Sequence, residues 1–191
     1  MTRCAALVVI ASVLIVAACT PVATPTPSPT PSPTPSPTLT GEPFDCPVSA
    51  AAFQPPSNTL TGVTVTAETG FDRIAFAFGA SVSASGSLPG VVIQPTAPPF
   101  VEGASGLPLS VDGELFVALV FRDMVIADEQ GIPMYTGSAE IRPGAPAVRE
   151  IVLAEAFEGV ERWIVGIRAP GCARIANDAA GHRILVDVQH P

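Results

Sequence analysis

Arg73-Ile74-Ala75-Phe76-Ala77-Phe78-Gly79 alternates without a break: Ile74, Phe76 and Phe78 fall on one face, and the small Ala75 and Ala77 on the other. A period of two marks a half-buried β-strand, because successive side chains leave opposite faces of a sheet. Outward from this stretch the pattern returns between Gly, Pro, Asn and Asp punctuation. Residues 61–68 set Val63 and Val65 against Thr64 and Thr66. Residues 88–94 and 107–111 are shorter candidates between prolines. Residues 115–121 are apolar on both faces, as suits a central strand covered on each side. Residues 148–154 and 161–169 form a further strand pair around Phe157-Glu158-Gly159. The last run, 183–189, buries Ile184, Val186 and Val188 and turns Arg183, Asp187 and Gln189 outward. Leucine-rich helical periodicity is absent, and 154–157 is the one stretch read as a helical turn. Strands at this spacing specify an all-β domain, a sandwich or a barrel.

The N-terminal end is organised differently. Arg3 precedes an apolar run over 5–18 that closes in Val16-Ala17-Ala18-Cys19. One basic residue, a short apolar run and small residues before a cysteine read as a bacterial lipoprotein signal, with Cys19 as the lipid attachment point. The run falls short of the ~20 apolar residues of a stable span. An uncleaved anchor and a non-lipidated secretory signal are the alternatives. Between residues 25 and 37 every second residue is proline, with Ser or Thr in between. Such density excludes helix and sheet and leaves polyproline II. Residues 19–43 are therefore expected to form a disordered stalk, able to hold a domain up to ~60 Å from its lipid. A Pro-rich peptide ligand and a scaffold for O-glycosylation are the other readings. The expected division is a signal peptide at 1–18, the lipidated stalk at 19–43 and one folded domain at 44–191.

Of four cysteines, Cys4 leaves with the signal and Cys19 carries the lipid, which leaves Cys46 and Cys172. An even pair in an exported domain is expected to form a disulfide, closing a loop of about 125 residues worth up to ~5 kcal/mol in the chain-entropy model. Two unpaired buried thiols are the alternative. A metal role is not expected, since neither cysteine has a second Cys or His close by in sequence. Without Arg3 the chain has 17 acids against eight arginines and no lysine, roughly −9 in formal charge. That charge offers no footprint for nucleic acid, and little attraction to anionic lipid beyond an acyl anchor.

Three segments carry a resemblance. Gly70-Phe71-Asp72-Arg73-Ile74-Ala75-Phe76 resembles the opening strand of the AMIN-like domain of actinobacterial secreted proteins and lipoproteins. Phe157-Glu158-Gly159-Val160-Glu161-Arg162-Trp163-Ile164-Val165-Gly166 is similar to its central element, and Arg183-Ile184-Leu185-Val186-Asp187-Val188-Gln189-His190 to its closing strand. The three stand in the expected order and bracket nearly the whole folded domain. The chain departs from the common pattern over 95–106, which reads as an irregular, proline-containing loop. The resemblance implies a compact β-sandwich related to the AMIN modules of cell-wall amidases and envelope secretins. It implies targeting to the envelope, in several such modules through peptidoglycan, and no catalytic activity of its own.

The residues also argue against catalysis and against any cofactor. His182 and His190 stand at opposite ends of one expected strand, ~26 Å apart at ~3.3 Å per residue, too far to share a metal ion. They read as a turn residue and a chain-end polar residue. No metalloprotease pair, phosphate-binding loop or nucleophile elbow is present. Asp112-Gly113-Glu114 and Asp128-Glu129-Gln130-Gly131 read as turns, the first with Gly113 at positive φ, and neither brings enough oxygens for a dedicated Ca²⁺ site. Trp163 shares a face with Val165 and Ile167 and reads as core, with a sugar-stacking platform as the alternative. Tyr135, in the 131–138 loop, reads as accessible. Asp72 and Arg73 are expected to make a salt bridge across strands, or Arg73 to pair with Asp187. These charges and Arg183 either fix the fold or bind a ligand.

Two function classes follow. One is a lipid-anchored, non-catalytic module on the extracytoplasmic face of the cell membrane that binds peptidoglycan or another wall polymer. The other is an assembly module holding an envelope protein near the membrane through a sheet edge or loop.

Overall fold

The computed structural model describes residues 43–46, 50–53, 59–79, 90–178 and 181–191, with backbone alone for 50–53 and 90. The chain divides into two units, Met1–Ser36 and Pro37–Pro191, and every described residue belongs to the second. The signal, Cys19 and nearly all of the stalk lie outside the described residues.

Among the described residues twelve strands run in chain order: β1 Ala50–Phe53, β2 Leu60–Glu68, β3 Phe71–Phe78, β4 Gly90–Thr96, β5 Phe100–Val101, β6 Pro108–Leu109, β7 Leu115–Phe121, β8 Glu140–Ile141, β9 Val148–Phe157, β10 Val160–Ile167, β11 Ala173–Asp178 and β12 Arg183–Gln189. They build an antiparallel six-stranded sheet, β1-β4-β7-β10-β9-β8, and a four-stranded sheet, β11-β12-β3-β2. The inner faces meet in one core. Ile74, Phe76 and Phe78 of β3 and Ile184, Val186 and Val188 of β12 pack against Val117, Leu119, Phe121, Trp163 and Val165 of the larger sheet. Phe76 lies 5.1 Å from the Phe121 ring and 5.9 Å from Trp163, centroid to centroid. Such tilted contacts add to simple area burial.

The outer face of the large sheet carries a third layer. The β5–β6 hairpin folds over it and closes a second, smaller core of Phe100, Ala154 and Ile164, with Leu109, Val111 and Phe116 against it. This explains why 115–121 is apolar on both faces: Val117 and Leu119 serve the main core, and Phe116 the small one. The descending chain then crosses β10 closely, and a Cβ on Gly166 would collide with the Asp112 carbonyl. Gly113 is not at positive φ, contrary to the turn reading; its need is space, since its own Cβ would stand 2.7 Å from Gly166 Cα.

Other expectations shift. Residues 154–157 are not a helical turn but the end of β9, where Ala154 is an extra residue opposite the Arg162/Trp163 step. The hairpin that follows has Glu158 at φ 48° and Gly159 at φ 77°, the left-handed pair that joins twisted strands tightly. The segment 95–106 is not wholly irregular. β4 runs through Pro95 to Thr96, and β5 lies within it. Pro95 stands opposite Val117 of β7, and among the described residues β1 pairs with β4 from Gly90 to Ile93. Asp187 does not face water; it is fully buried.

Cys46 and Cys172 form a disulfide, with Cα atoms 4.4 Å apart across a sequence separation of 126. It sits beside an isolated bridge in which Asp45 and Ala173 exchange both backbone hydrogen bonds, at 2.9 and 3.0 Å. The start of the domain is thereby tied to the strand pair that ends it. Replacing both cysteines by serine should lower stability by about 2–4 kcal/mol, read from the denaturant midpoint. An unchanged midpoint would show that the bridge constrains nothing.

Candidate functional site

Asp72 and Arg73 are neighbours on β3 and so leave opposite faces of the sheet. Asp72 points into the sandwich and is fully buried. Its Oδ2 accepts the N–H groups of Ala147 and Val148 at 2.6 and 2.9 Å, where β9 of the other sheet begins. Its Oδ1 stands 2.8 Å from His190 Nε2, just past β12. His190 is therefore not a mere chain-end residue but a partner of this buried carboxylate.

Arg73 leaves by the outer face. Its Nε and Nη2 donate to Asp187 at 2.7 and 2.9 Å, the forked geometry that suits guanidinium and carboxylate. The register sets Asp187 directly between Arg73 and Arg174, and Arg174 Nε adds a third bond at 3.0 Å. The hydrogen bond to Asp187 leads in raising the Arg73 pKa above its ordinary value; burial opposes it, and the Asp187, Glu68 and Asp178 charges assist. Arg174 also lies over the rings of Phe44 and Phe71, 4.5 and 5.1 Å from their centroids. Arg183, at the other end of β12, pairs with Asp178 through contacts of 2.6 and 2.9 Å. Between Asp72 and Arg73 there is no bridge; each takes a different partner.

Trp163 is fully buried in the core. Tyr135 is half-buried, packed against the core rather than standing free in its loop. Its ring stands edge-on to Trp163 at 5.4 Å, and its hydroxyl donates to the Ser138 carbonyl at 3.0 Å. Burial raises its pKa, helped by the charge of Glu161. Among the described residues Phe157, half exposed at the tip of the β9–β10 hairpin, is the aromatic ring most open to water.

Two buried acids escaped the sequence reading. Glu150 accepts the Asp112 N–H at 2.5 Å and Arg142 Nε at 2.9 Å, which secures the crossing over Gly166. Glu161 is 2% exposed and lies on the core face of β10, two residues before Trp163. The indole N–H donates to it at 3.5 Å. Each acid had a signal in its register: Glu161 shares the face of Trp163 and Val165.

Two hollows open at one end of the large sheet. A cleft of about 580 Å³ is lined by Pro95, Pro98, Leu115, Phe116, Ile167 and Pro170, among others. A smaller one of about 200 Å³ contains Asp112, Glu114, Arg149 and Arg168. Among the described residues no group of three or more His, Cys, Asp or Glu side chains is placed to hold a metal ion.

The model of the AMIN-like domain matches residues 58–190, from just before β2 to just after β12. The chain belongs to the AMIN-like domain family. Compared with curated proteins and with solved structures, it has no significant match. AMIN-like domains are cell-envelope domains and are generally non-catalytic. The three motif segments of this AMIN-like domain serve different places: Asp72 and His190 pair between the sheets, Arg73 and Asp187 pair on the outer face of the small sheet, Trp163 fills the core and Gly166 admits the Asp112 crossing.

Desolvation raises the Glu161 pKa from 4.5 to about 7, against the Trp163 hydrogen bond. A carboxyl raised on folding contributes its full stability below the unfolded value and loses it as pH rises through the folded one. Stability should therefore fall by about 3 kcal/mol between pH ~4.5 and ~7.5 on this account, and Glu161→Gln should flatten that slope. Asp178 acts in the opposite sense at lower pH. Burial raises its pKa, but Arg183 and the Gly181 N–H outweigh burial and hold it below 3.8. Urea midpoints followed by Trp163 fluorescence across this range would check it; parallel curves for the two proteins would refute the assignment.

Proposed function

We propose that the chain is a lipid-anchored, non-catalytic module of the cell envelope that binds peptidoglycan or another wall polymer from the extracytoplasmic face of the membrane. Membership of the AMIN-like family carries this reading. The sequence supports the tether: Arg3, the short apolar run and Ala17-Ala18-Cys19 form a lipoprotein signal, and the Pro-rich segment after it can span a distance.

The geometry supports a binding role over a catalytic one. Asp72, Arg73, Asp187 and His190 of the family motifs are committed to partners within the domain. His190 is held against Asp72, and Arg73 and Arg174 share Asp187. Among the described residues, the end of the large sheet with its two hollows is open to a ligand. A second reading, attachment of an envelope protein, is supported by β2, an edge strand of nine residues that pairs only with β3 among the described residues. Such an edge can accept an added strand.

Co-sedimentation of the full chain, held in detergent, with purified sacculi tests the proposal. Binding should exceed that of an unrelated acidic protein and change little between low and high salt, since the chain is acidic overall and does not attract anionic polymer by net charge. Sedimentation no greater than the control at either salt would remove the wall-binding reading and favour the edge-strand alternative.

A further inference from the structure

The two hollows at the end of the large sheet meet at Glu114, which lines both. The larger has the size of a small-molecule site and walls of proline and aliphatic side chains, with Leu115 43% exposed on it. Its aromatic member, Phe116, is half-buried, turned edge-on to Phe100 at 5.0 Å and packed against the small core. The smaller hollow is polar. There Arg149 is paired with Asp112 at 2.8 Å, and Glu114 Oε2 accepts the Ala169 N–H at 3.1 Å. Arg168 is exposed, and its guanidinium has no hydrogen bond or ion pair among the described residues. The apolar trough therefore adjoins, across Glu114, a polar hollow that holds one uncommitted cation.

We propose that this composite cleft binds a short peptide with small apolar side chains and a free C-terminal carboxylate, the side chains lying along Leu115 and the carboxylate on Arg168. The inference rests on the wall-polymer reading and narrows it: the peptide part of the polymer is recognised, not the sugar. A guanidinium fork matches a carboxylate in shape and charge. Small side chains suit a trough walled by Pro95, Pro98 and Ile167. Sugar recognition would call for a ring laid open to solvent, whereas the one ring lining the cleft, Phe116, is half-buried against Phe100.

The test is an NMR shift titration of the full chain in detergent with three probes: N-acetyl-alanyl-alanine, its C-terminal amide, and an N-acetylglucosamine tetramer. The acid should shift the methyl resonances of Leu115 and Ile167, and the amide should bind at least about tenfold more weakly, as loss of a charge-assisted pair requires. Arg168→Gln, a surface change that leaves the core untouched, should bring the acid down to the level of the amide. Equal binding of acid and amide, a response to the tetramer alone, or no response to any probe would each overturn the proposal. If the peptide fails while wild-type chain still sediments with sacculi, the cleft assignment falls and the wall reading stands. Acid-selective binding without sedimentation supports the cleft and removes the wall as the source of its ligand.

Discussion

The Asp72 carboxylate holds the sandwich together at the point where its two sheets and its last residues converge. Hydrophobic burial is non-directional, so on its own it specifies the relation of the two sheets less sharply than a buried charge does. A buried carboxylate is more exacting. It must find donors or incur several kcal/mol of desolvation, and the Ala147 and Val148 amides and His190 supply them in one arrangement only. Asp72 thus fixes where β9 starts relative to β3 and where the chain ends relative to both. The neighbouring Arg73 repeats the device on the outer face, with Asp187 caught between guanidiniums on the two flanking strands.

With these charges committed to one another, the surface proposed for a ligand is the end of the large sheet. The same logic applies to Glu150, which pins the Asp112 crossing, and to Trp163 and Tyr135, whose rings close the core. The crossing matters most for the candidate site. It brings Asp112, Gly113 and Glu114 down onto the end of β10, and Gly166 makes the approach possible. The apolar trough and the polar hollow share Glu114 because that segment runs between them.

Much of this was legible in the sequence, and the gaps have physical causes. Residues 115–121 and 183–189 announce their strands, with the bounds the structure gives them, because every inward position carries a β-branched, Leu or Phe side chain. β11, Ala-Arg-Ile-Ala-Asn-Asp, has the right period, but small and polar residues dilute the signal. β8 and β5 are two residues each, too short for any periodicity. The outward assignment of Asp187 followed from simple alternation and was right about the face. It missed the burial, because one strand cannot show that arginines from two others will cover it. The sharing of Glu114 by two hollows was out of reach for the same reason: it depends on a crossing, and a crossing leaves only a pair of glycines far apart in the chain.

The central claim is that the motif charges build the domain while the ligand is met elsewhere. Replacing the outer pair by apolar side chains of similar size, Arg73→Met with Asp187→Leu, removes both charges together and leaves neither one of the two buried alone, a change that folds often tolerate. Measuring sacculus binding by that double variant, once circular dichroism shows it folded, tests the claim most directly. The account predicts binding equal to that of the unmodified chain. A folded double variant that no longer binds would place Arg73 or Asp187 in the ligand site and contradict it.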